Sequence, residues 1–243
     1  MSASFLLFAV TWGNLSPEAA LDRALDAVEP PPALRAAFRA TLASGNAVRR
    51  IEYDPYAASG DQFKVTMEYG ADEELDAVVD SWKHERQADV RIFADDLRVS
   101  LSDARVAAYG DALSIDFKHQ ISPNDGAVDA ELSAHMKGRL VLDPSNGYLS
   151  KIQYSIDKPV KLKDGPTLTQ YNQTYDFAYS ERWGVSYVSA YEVEARGGAW
   201  GVAQTRTIRV TLTDVAFGLA GDAKQELASK GPVYPAGFTA RLN

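Results

Sequence analysis

The stretch "GRLVLDPSNGYLSKIQYSI", residues 138–156, predicts an antiparallel β-hairpin. Apolar and polar residues alternate on both sides of a central turn, which is the pattern of strands that bury one face. The turn, residues 143–147, has proline at its second position and ends in Gly147, a residue type that tolerates a positive φ angle. The apolar positions of both arms share one face: Leu140, Leu142, Ile152, Tyr154 and Ile156.

Similar alternation recurs along the chain and predicts further strands in these segments: 62–69, 112–121, 130–142, 169–179, 185–193 and 200–212. The segment 130–142 keeps one phase throughout, which predicts a single long strand. The glycine-rich segment 195–201 is predicted to turn between the last two strands. Strands with one apolar and one polar face form antiparallel sheets, and the twist of long strands makes such a sheet curl.

Three amphipathic helices are predicted to cover this sheet. The first follows the N-cap Ser16 and the first-turn Pro17, and the Glu-Pro-Pro-Pro segment 29–32 ends it. The second comes directly after these prolines, and the third, at about 72–88, is inserted among the strands. The apolar faces of the three helices are Leu21, Leu25 and Val28; then Leu34, Phe38 and Leu42; then Leu75, Val78, Val79 and Trp82.

Together these elements predict an α+β fold that is mainly antiparallel β, a curved half-barrel sheet covered by two N-terminal helices and one inserted helix. A chain of 243 residues has room for one large β domain, so we expect a single domain over 1–243. Within it we expect a helical lead at 1–45, the half-barrel at 46–217, and a loosely structured tail at 218–243.

The composition excludes several classes of function. The chain is 46% hydrophobic and 24% charged, with a net charge of −8, and so has no basic surface suited to nucleic acid. It contains no cysteine, which excludes disulfides and thiolate chemistry. The apolar run Phe5 to Val10 is too short to span a bilayer, and no basic residue precedes it. This run is either the remnant of a secretion signal or a core segment, and the first alternative predicts a periplasmic or otherwise secreted protein whose signal peptide is absent or truncated in this sequence.

Five segments carry a resemblance to a known family: "RIEYDP" (50–55), "FKVTMEYGADEELDAVVDSW" (63–82), "AHMKGRLVLDPSNGYLSKIQYSI" (134–156), "KPVKL" (158–162) and "TLTDVAF" (211–217). This layout resembles the LolA/LolB-like superfamily of bacterial envelope lipoprotein carriers, and bacterial secreted proteins of the same layout. The resemblance spans roughly residues 46–217. It implies an incomplete antiparallel barrel closed by helices around an apolar cavity, and it suggests the handling of lipids or lipoproteins. No site residue is carried over from the family.

Polar residues that interrupt the apolar phases of the strands are the candidate ligand-binding residues. Arg206 is the strongest candidate, because it shares the apolar phase of its strand. Burying an unpaired guanidinium would cost several kcal/mol, so this side chain needs a partner, water or an anionic ligand. Alternatives are an internal arginine–carboxylate pair, a β-bulge that changes the phase, a sheet end open to solvent, and a histidine satisfied by one hydrogen bond. The candidates are His119, Gln173, Ser189, Gln204 and Arg206, with Tyr175 and Tyr187 as possible ligand contacts or core residues.

No motif for catalysis or metal binding is present. The three histidines, His84, His119 and His135, have no metal-ligand spacing, and the chain has no nucleophile elbow and no P-loop. We therefore expect a protein that is not an enzyme and has no cofactor. The expected partner is a hydrophobic small molecule or a lipidated protein, with possible peripheral contact with the envelope membrane and no nucleic acid.

Two other functions compete with this one. The first is an enzyme that uses His119 as an acid–base group and Arg206 as an anion-binding group, which requires both to reach one cleft. The second is an interaction module whose sheet is simply filled by its helices. An open apolar cavity of several hundred Å³ would favour the ligand carrier, whereas a filled interior would favour the interaction module.

Overall fold

The computed structural model describes residues 16–219, except 30, 32, 59, 85–96, 102–103, 109–112, 121–130, 164–166 and 200–201. The helices of this part are α1 (Pro17–Val28), α2 (Glu73–His84) and α3 (Leu97–Ser100). Its strands are β1 (Leu34–Ser44), β2 (Ala47–Tyr53), β3 (Phe63–Tyr69), β4 (Arg105–Ala108), β5 (Ser114–Lys118), β6 (Met136–Leu142), β7 (Leu149–Ile156), β8 (Val160–Lys161), β9 (Thr167–Ser180), β10 (Val185–Ala199) and β11 (Val202–Leu219).

The strands form one open antiparallel sheet. Their order is β3-β2-β1-β11-β10-β9-β7-β6-β5-β4, and the short β8 pairs with β9 beside this path. In the described part of the chain β3 and β4 are the two edges, and they do not pair with each other. The mainly antiparallel β fold predicted from the alternating segments is thereby confirmed.

The hairpin at 138–156 forms as predicted, with β6 and β7 as its arms. The backbone N–H of Gly147 donates to the Asp143 carbonyl oxygen at 2.9 Å, and Gly147 has a φ of 83°. The Asp143 carboxylate accepts from the backbone N–H of Ser145 at 2.7 Å, which holds the turn closed. Asp143 is therefore a turn-forming residue, as its place in the sequence predicts.

Helix α1 also forms where it is predicted. The Ser16 hydroxyl accepts from the backbone N–H of Ala19 at 3.2 Å, and Pro17 occupies the first turn. The helix is fixed to the β6–β7 hairpin through Arg23, whose guanidinium lies 4.8 Å from the ring centroid of Tyr148 and donates to its hydroxyl at 3.0 Å. The ring of Tyr148 in turn stacks on Tyr179 of β9, with 3.6 Å between the centroids.

The second predicted helix is wrong, because residues 34–44 form strand β1. Leu34, Phe38 and Leu42 are four residues apart, a spacing that fits one face of a helix. It fits a strand equally well if the alanines midway between them, Ala36 and Ala40, are buried too. Ala36 and Ala40 are indeed 0% and 2% exposed, like their neighbours in this strand. The segment Ser44-Gly45-Asn46 leads from β1 through a turn into β2, with Gly45 at a φ of 54°. One N-terminal helix therefore precedes the sheet in the described chain.

Several strand boundaries also differ from the prediction. Residues 131–133 form a helical turn, so that β6 begins only at Met136 and the long strand predicted over 130–142 is wrong. Gly197 and Gly198 belong to β10, and Ala199 pairs directly with Val202; residues 200–201 lie outside the described residues. Gly197 is required there, because a Cβ atom would lie 2.6 Å from the Thr167 carbonyl oxygen. The expected tail overlaps β11 at 218–219, and the rest of it lies outside the described residues.

In β3 and in β10, a shift in strand register interrupts the alternation of apolar and polar residues that is regular in the sequence. In β3, Val65 lies opposite the buried Ile51, whereas Met67 lies opposite the exposed Arg50. In β10, the register shifts between Val188 and Ala190, on either side of Ser189. Both shifts are β-bulges, which place one extra residue in a strand and change which face the following side chains occupy.

One face of the sheet carries α1 and α2, and we call it the helix-side face. Its first core cluster joins α2, through Leu75, Val79 and Trp82, to β1, β2 and β11. Its second core cluster joins α1 to β5, β6 and β7. Its third consists of Leu132, Met136, Val160, Leu162, Leu168 and Tyr171. The inserted helix α2 lies within the predicted 72–88, of which residues 85–88 are outside the described chain.

Candidate functional site

Between the three core clusters, the helix-side face carries a band of residues that are only half-buried. We call this band the central strip, and it consists of Tyr154, Gln173, Tyr175, Tyr191, Val193 and Ile208. Strand pairing brings these residues together. Val193 of β10 lies opposite both Ile208 and Gln173, and Gln173 lies opposite Tyr154 of β7.

Aromatic rings connect the central strip to α2 on one side. The ring of Tyr191 lies 6.4 Å from Trp82 and 5.7 Å from Tyr175, measured between centroids. Tyr154 continues the series at 6.3 Å from Tyr175. Ring pairs at such distances favour tilted and edge-to-face packing. The strip is therefore a continuous aromatic surface, with Trp82 at the end that the helix covers.

Gln173 is the polar centre of the strip. Its side-chain N–H donates to the Tyr175 hydroxyl at 2.5 Å, and its side-chain oxygen accepts from the Tyr171 hydroxyl at 3.4 Å. The amide is thus held between two tyrosines on its own strand. Of the residues predicted as candidates, Gln173 and Tyr175 are in direct contact.

His119 directly follows strand β5. Its ring is 5.2 Å from that of Tyr154, edge to face, and its Nδ1 is 3.3 Å from the hydroxyl oxygen of Ser100. The histidine is half-buried. It therefore borders the central strip through Tyr154, and the alternative of a histidine satisfied by a hydrogen bond describes it well.

Arg206 is half-buried and belongs to an arginine–carboxylate cluster. Its guanidinium bonds the carboxylate of Asp72, and its Nε lies 2.5 Å from a carboxylate oxygen of Glu74. Asp72 also accepts from the backbone N–H of Leu75 at 2.9 Å, which caps the first turn of α2. Arg206 thus attaches β11 to the start of α2, which is one of the alternatives open at the level of the sequence.

The pKa of Asp72 reflects this environment. Burial acts to raise it, but hydrogen bonds from the Leu75 N–H and the Ser44 hydroxyl, together with the positive charge of Arg206, outweigh burial and lower the pKa below its ordinary value of 3.8. Asp72 is therefore a carboxylate at neutral pH.

The remaining candidates do not join the central strip. Tyr187 precedes the bulge of β10 and packs edge to face on Phe217, at 5.2 Å between centroids. Gln204 is exposed near the start of β11. Ser189, at the bulge, donates its hydroxyl to the Asp176 carbonyl oxygen at 3.1 Å. His135 is exposed in the turn before β6.

Arg49 is a residue that the sequence reasoning missed. Its side chain is 4% exposed and donates to Asp76 of α2 at 2.7 Å and to the Tyr69 carbonyl oxygen at 2.8 Å. A period of two through 47–53 places Arg49 in phase with Ala47, Ile51 and Tyr53, and this signal alone would have marked it as inward-facing.

The arrangement offers surfaces for binding and few groups for chemistry. Within the described ranges, no three histidine, aspartate or glutamate side chains gather to hold a metal ion. No helix in that same part of the chain is both long and apolar enough to cross a membrane. His119 and Arg206 have separate partners, and four strands lie between β5 and β11 in the sheet.

The chain was also compared with known proteins. No family model matches it, and no curated protein matches it. Among solved structures it is similar to MucB, in the crystal structure of MucB in complex with MucA(peri). The sequences are 12% identical, the match covers 85% of this chain and 100% of the MucB chain, and the TM-score is 0.21. Because the identity and the TM-score are this low, the similarity carries no functional argument.

Proposed function

We propose that the protein is a non-enzymatic binding protein of the bacterial cell envelope, periplasmic or otherwise secreted, that takes a hydrophobic ligand on the central strip. In this proposal the sheet bends into a half-barrel around α1 and α2, and the ligand is the acyl chain of a lipid or lipoprotein. The observation that carries the proposal is the strip itself, a half-buried apolar band between three packed clusters.

The strip has the composition of a ligand site. Small-molecule sites are mostly apolar and aromatic, with a few polar groups that fix orientation. Here Tyr191, Val193 and Ile208 supply the apolar surface, and the Gln173 amide and the Tyr175 hydroxyl supply the polar groups. Each methylene of an acyl chain that leaves water on this surface contributes about 0.8 kcal/mol.

The absence of catalysis belongs to the proposal as well. An acid–base mechanism would need His119 and Arg206 to face the same reacting group. His119 instead contacts Tyr154 and Ser100, and Arg206 is engaged by the carboxylates at the start of α2. This separation supports a binding role.

The test is lipid retention and its loss on substitution. The protein is purified from its own host, and bound lipid is measured by native mass spectrometry and solvent extraction. We expect retained acyl lipid in the unsubstituted protein and a severalfold lower amount in I208Q, which places an amide in the strip. T211Q, at an exposed position of the same strand, is the matched control and should retain lipid normally.

A second candidate function is favoured by a specific observation. The three core clusters fill much of the helix-side face, and this is the arrangement expected of an interaction module whose interior is simply a core. That function predicts no lipid in any preparation and equal behaviour of I208Q and T211Q. Repeated absence of lipid would therefore overturn the carrier function in favour of the module.

A further inference from the structure

The face of the sheet opposite α1 and α2 forms a groove with a volume of about 1190 Å³, lined by side chains of β5, β6, β7, β9 and β10. Strand pairing arranges these side chains in two parallel rows across the sheet. We call the surface the polar groove. One row is Asp116, Arg139, Gln153, Thr174 and Glu192. The other is Lys118, Lys137, Ser155, Asn172 and Glu194.

The charges of the first row are balanced internally. Arg139 donates to both carboxylate oxygens of Asp116, at 2.7 and 3.1 Å. Glu192 accepts from the Nε of Arg209 on β11 at 2.6 Å. Because these side chains satisfy one another, the first row forms a neutral wall of the polar groove.

The second row is not balanced in this way. Its β5 and β6 end is basic, with Lys118 and Lys137, and Lys158 of the turn after β7 lines the same end. Lys137 pairs with Asp157, whereas Lys118 and Lys158 form no ion pair with any described residue. At the β10 end, Glu194 accepts only a hydrogen bond of 3.4 Å, from Gln170, within the same described set. The row therefore runs from an excess of positive charge to a negative charge.

The middle of the second row is neutral and able to hydrogen-bond. Ser155 and Asn172 lie opposite each other there, and both line the groove. An amide and a hydroxyl can donate to and accept from a peptide backbone, whose N–H and C=O groups need partners when they leave water.

The lining favours a polar ligand that carries both signs of charge. Phe117 and Tyr154 belong to these strands, but their rings contact each other within the second core cluster on the helix-side face. Both residues also line part of the groove, as does Met136, but the two rows of charged and polar side chains cross it and favour a ligand that can hydrogen-bond over a lipid tail. Glu192 and Glu194 would repel a nucleic acid backbone.

We propose that the polar groove binds an extended peptide segment of a partner protein, with an acidic side chain at the lysine end and a basic side chain at Glu194. Four strand spacings separate Lys118 on β5 from Glu194 on β10, which is about 19 Å at about 4.8 Å each. An extended chain rises about 3.3 Å per residue, so the two charged side chains stand about six residues apart. This site is distinct from the central strip, and it does not depend on lipid binding there.

Three fluorescently labelled peptides test the proposal by anisotropy at low ionic strength. Each has two charged residues separated by five serine or glycine residues: one acidic and one basic, two acidic, or two basic. We expect the mixed peptide to bind at least severalfold more tightly than the other two. Binding should weaken as salt is added, because the charges are exposed and therefore screened.

The variant E194K makes both ends of the second row basic, and it should switch the preference from the mixed to the doubly acidic peptide. E68K, an equivalent change on the exposed edge strand β3, is the matched control and should leave the preference unchanged. The double variant K118E/K158E gives an independent test, since it should shift the preference towards the doubly basic peptide. Circular dichroism confirms that each variant is folded.

Three outcomes would overturn the proposal. One is equal binding of the three peptides, a second is no measurable binding of the mixed peptide at millimolar concentration, and the third is an unchanged preference in both folded charge-reversal variants. A preference that switches with the sign of the groove charge would support it, because a nonspecific electrostatic surface would not discriminate the mixed peptide.

Discussion

The guanidinium of Arg206 on β11 bonds the carboxylate of Asp72, which caps the first turn of α2, although 134 positions separate the two residues in sequence. A second arginine, Arg49 of β2, bonds Asp76 in that same first turn of the helix. Together the two ion pairs hold α2 over the first core cluster, and they place Trp82 at the end of the central strip.

Replacing Asp72 by alanine should lower the free energy of unfolding by about 2 kcal/mol, since it removes both the helix cap and the partner of Arg206. D72N, which keeps an oxygen able to cap the helix, should cost about half as much. Urea unfolding followed by tryptophan fluorescence measures both. The control is E73A, at an exposed position of the same turn, and a cost as large as that of D72A there would contradict the role assigned to Asp72.

The Asp72 contribution should depend on pH in one direction. Because its pKa is lower in the folded protein than the ordinary 3.8, the unfolded chain takes up a proton at a higher pH than the folded one. The stabilisation is therefore present above about pH 4 and is lost as the pH falls through the folded pKa. The difference in unfolding free energy between the unsubstituted protein and D72N should shrink below pH 4, and a difference that grew there would reverse the assignment.

Arg49 should be much more sensitive to substitution than its neighbour Arg50. R49M leaves Asp76 without its ion pair and the Tyr69 carbonyl without its donor, and we expect a loss of about 2–3 kcal/mol. R50M changes an exposed side chain and should lie within about 0.5 kcal/mol of the unsubstituted protein. Chemical denaturation of the pair gives the comparison, and equal losses would show that Arg49 is not a buried anchor.

Gly138 should not tolerate alanine, because a Cβ atom there would lie 2.1 Å from the ring of Phe117. Overpacking of this kind costs about 1–3 kcal/mol. Replacing Phe117 by the smaller leucine should make room for this Cβ atom. The loss on G138A, measured as G138A/F117L against F117L alone, should therefore be smaller than in the unsubstituted protein. A thermal-denaturation cycle of the four proteins measures the coupling, and strictly additive effects would rule out the steric explanation.

How far the fold follows from the sequence can be seen by comparing the β6–β7 hairpin with β1. The hairpin is predictable, because the Asp143 to Gly147 turn and the alternating arms agree with each other. In β1, alanines at 36 and 40 leave the pattern compatible with a helix as well as a strand, and only the pairing with β2 and β11 decides between them. Such tertiary pairing is not visible in a local window.

The candidate site is predictable only in part, for a similar reason. Gln173 and Tyr175 are brought together because β9 keeps a single phase at that point. Tyr187 does not join them: it lies before the bulge at Ser189, which leaves no local signature in the sequence, and it packs on Phe217 against the first core cluster. The phase of its strand marks Arg206 as inward-facing, but its partner Asp72 is distant along the chain, and the pairing emerges only when the sheet is assembled.

The pairing of β1 with β11 sets the order in which the protein can be completed during translation. Leu34 lies opposite Leu219, so the first strand acquires this neighbour only after nearly all of the described chain has been made. At about 5–20 residues per second, that delay is on the order of ten seconds or more. During this time β1 presents an unpaired edge, and the emerging chain would depend on chaperones or on rapid synthesis to keep that edge from pairing with other chains.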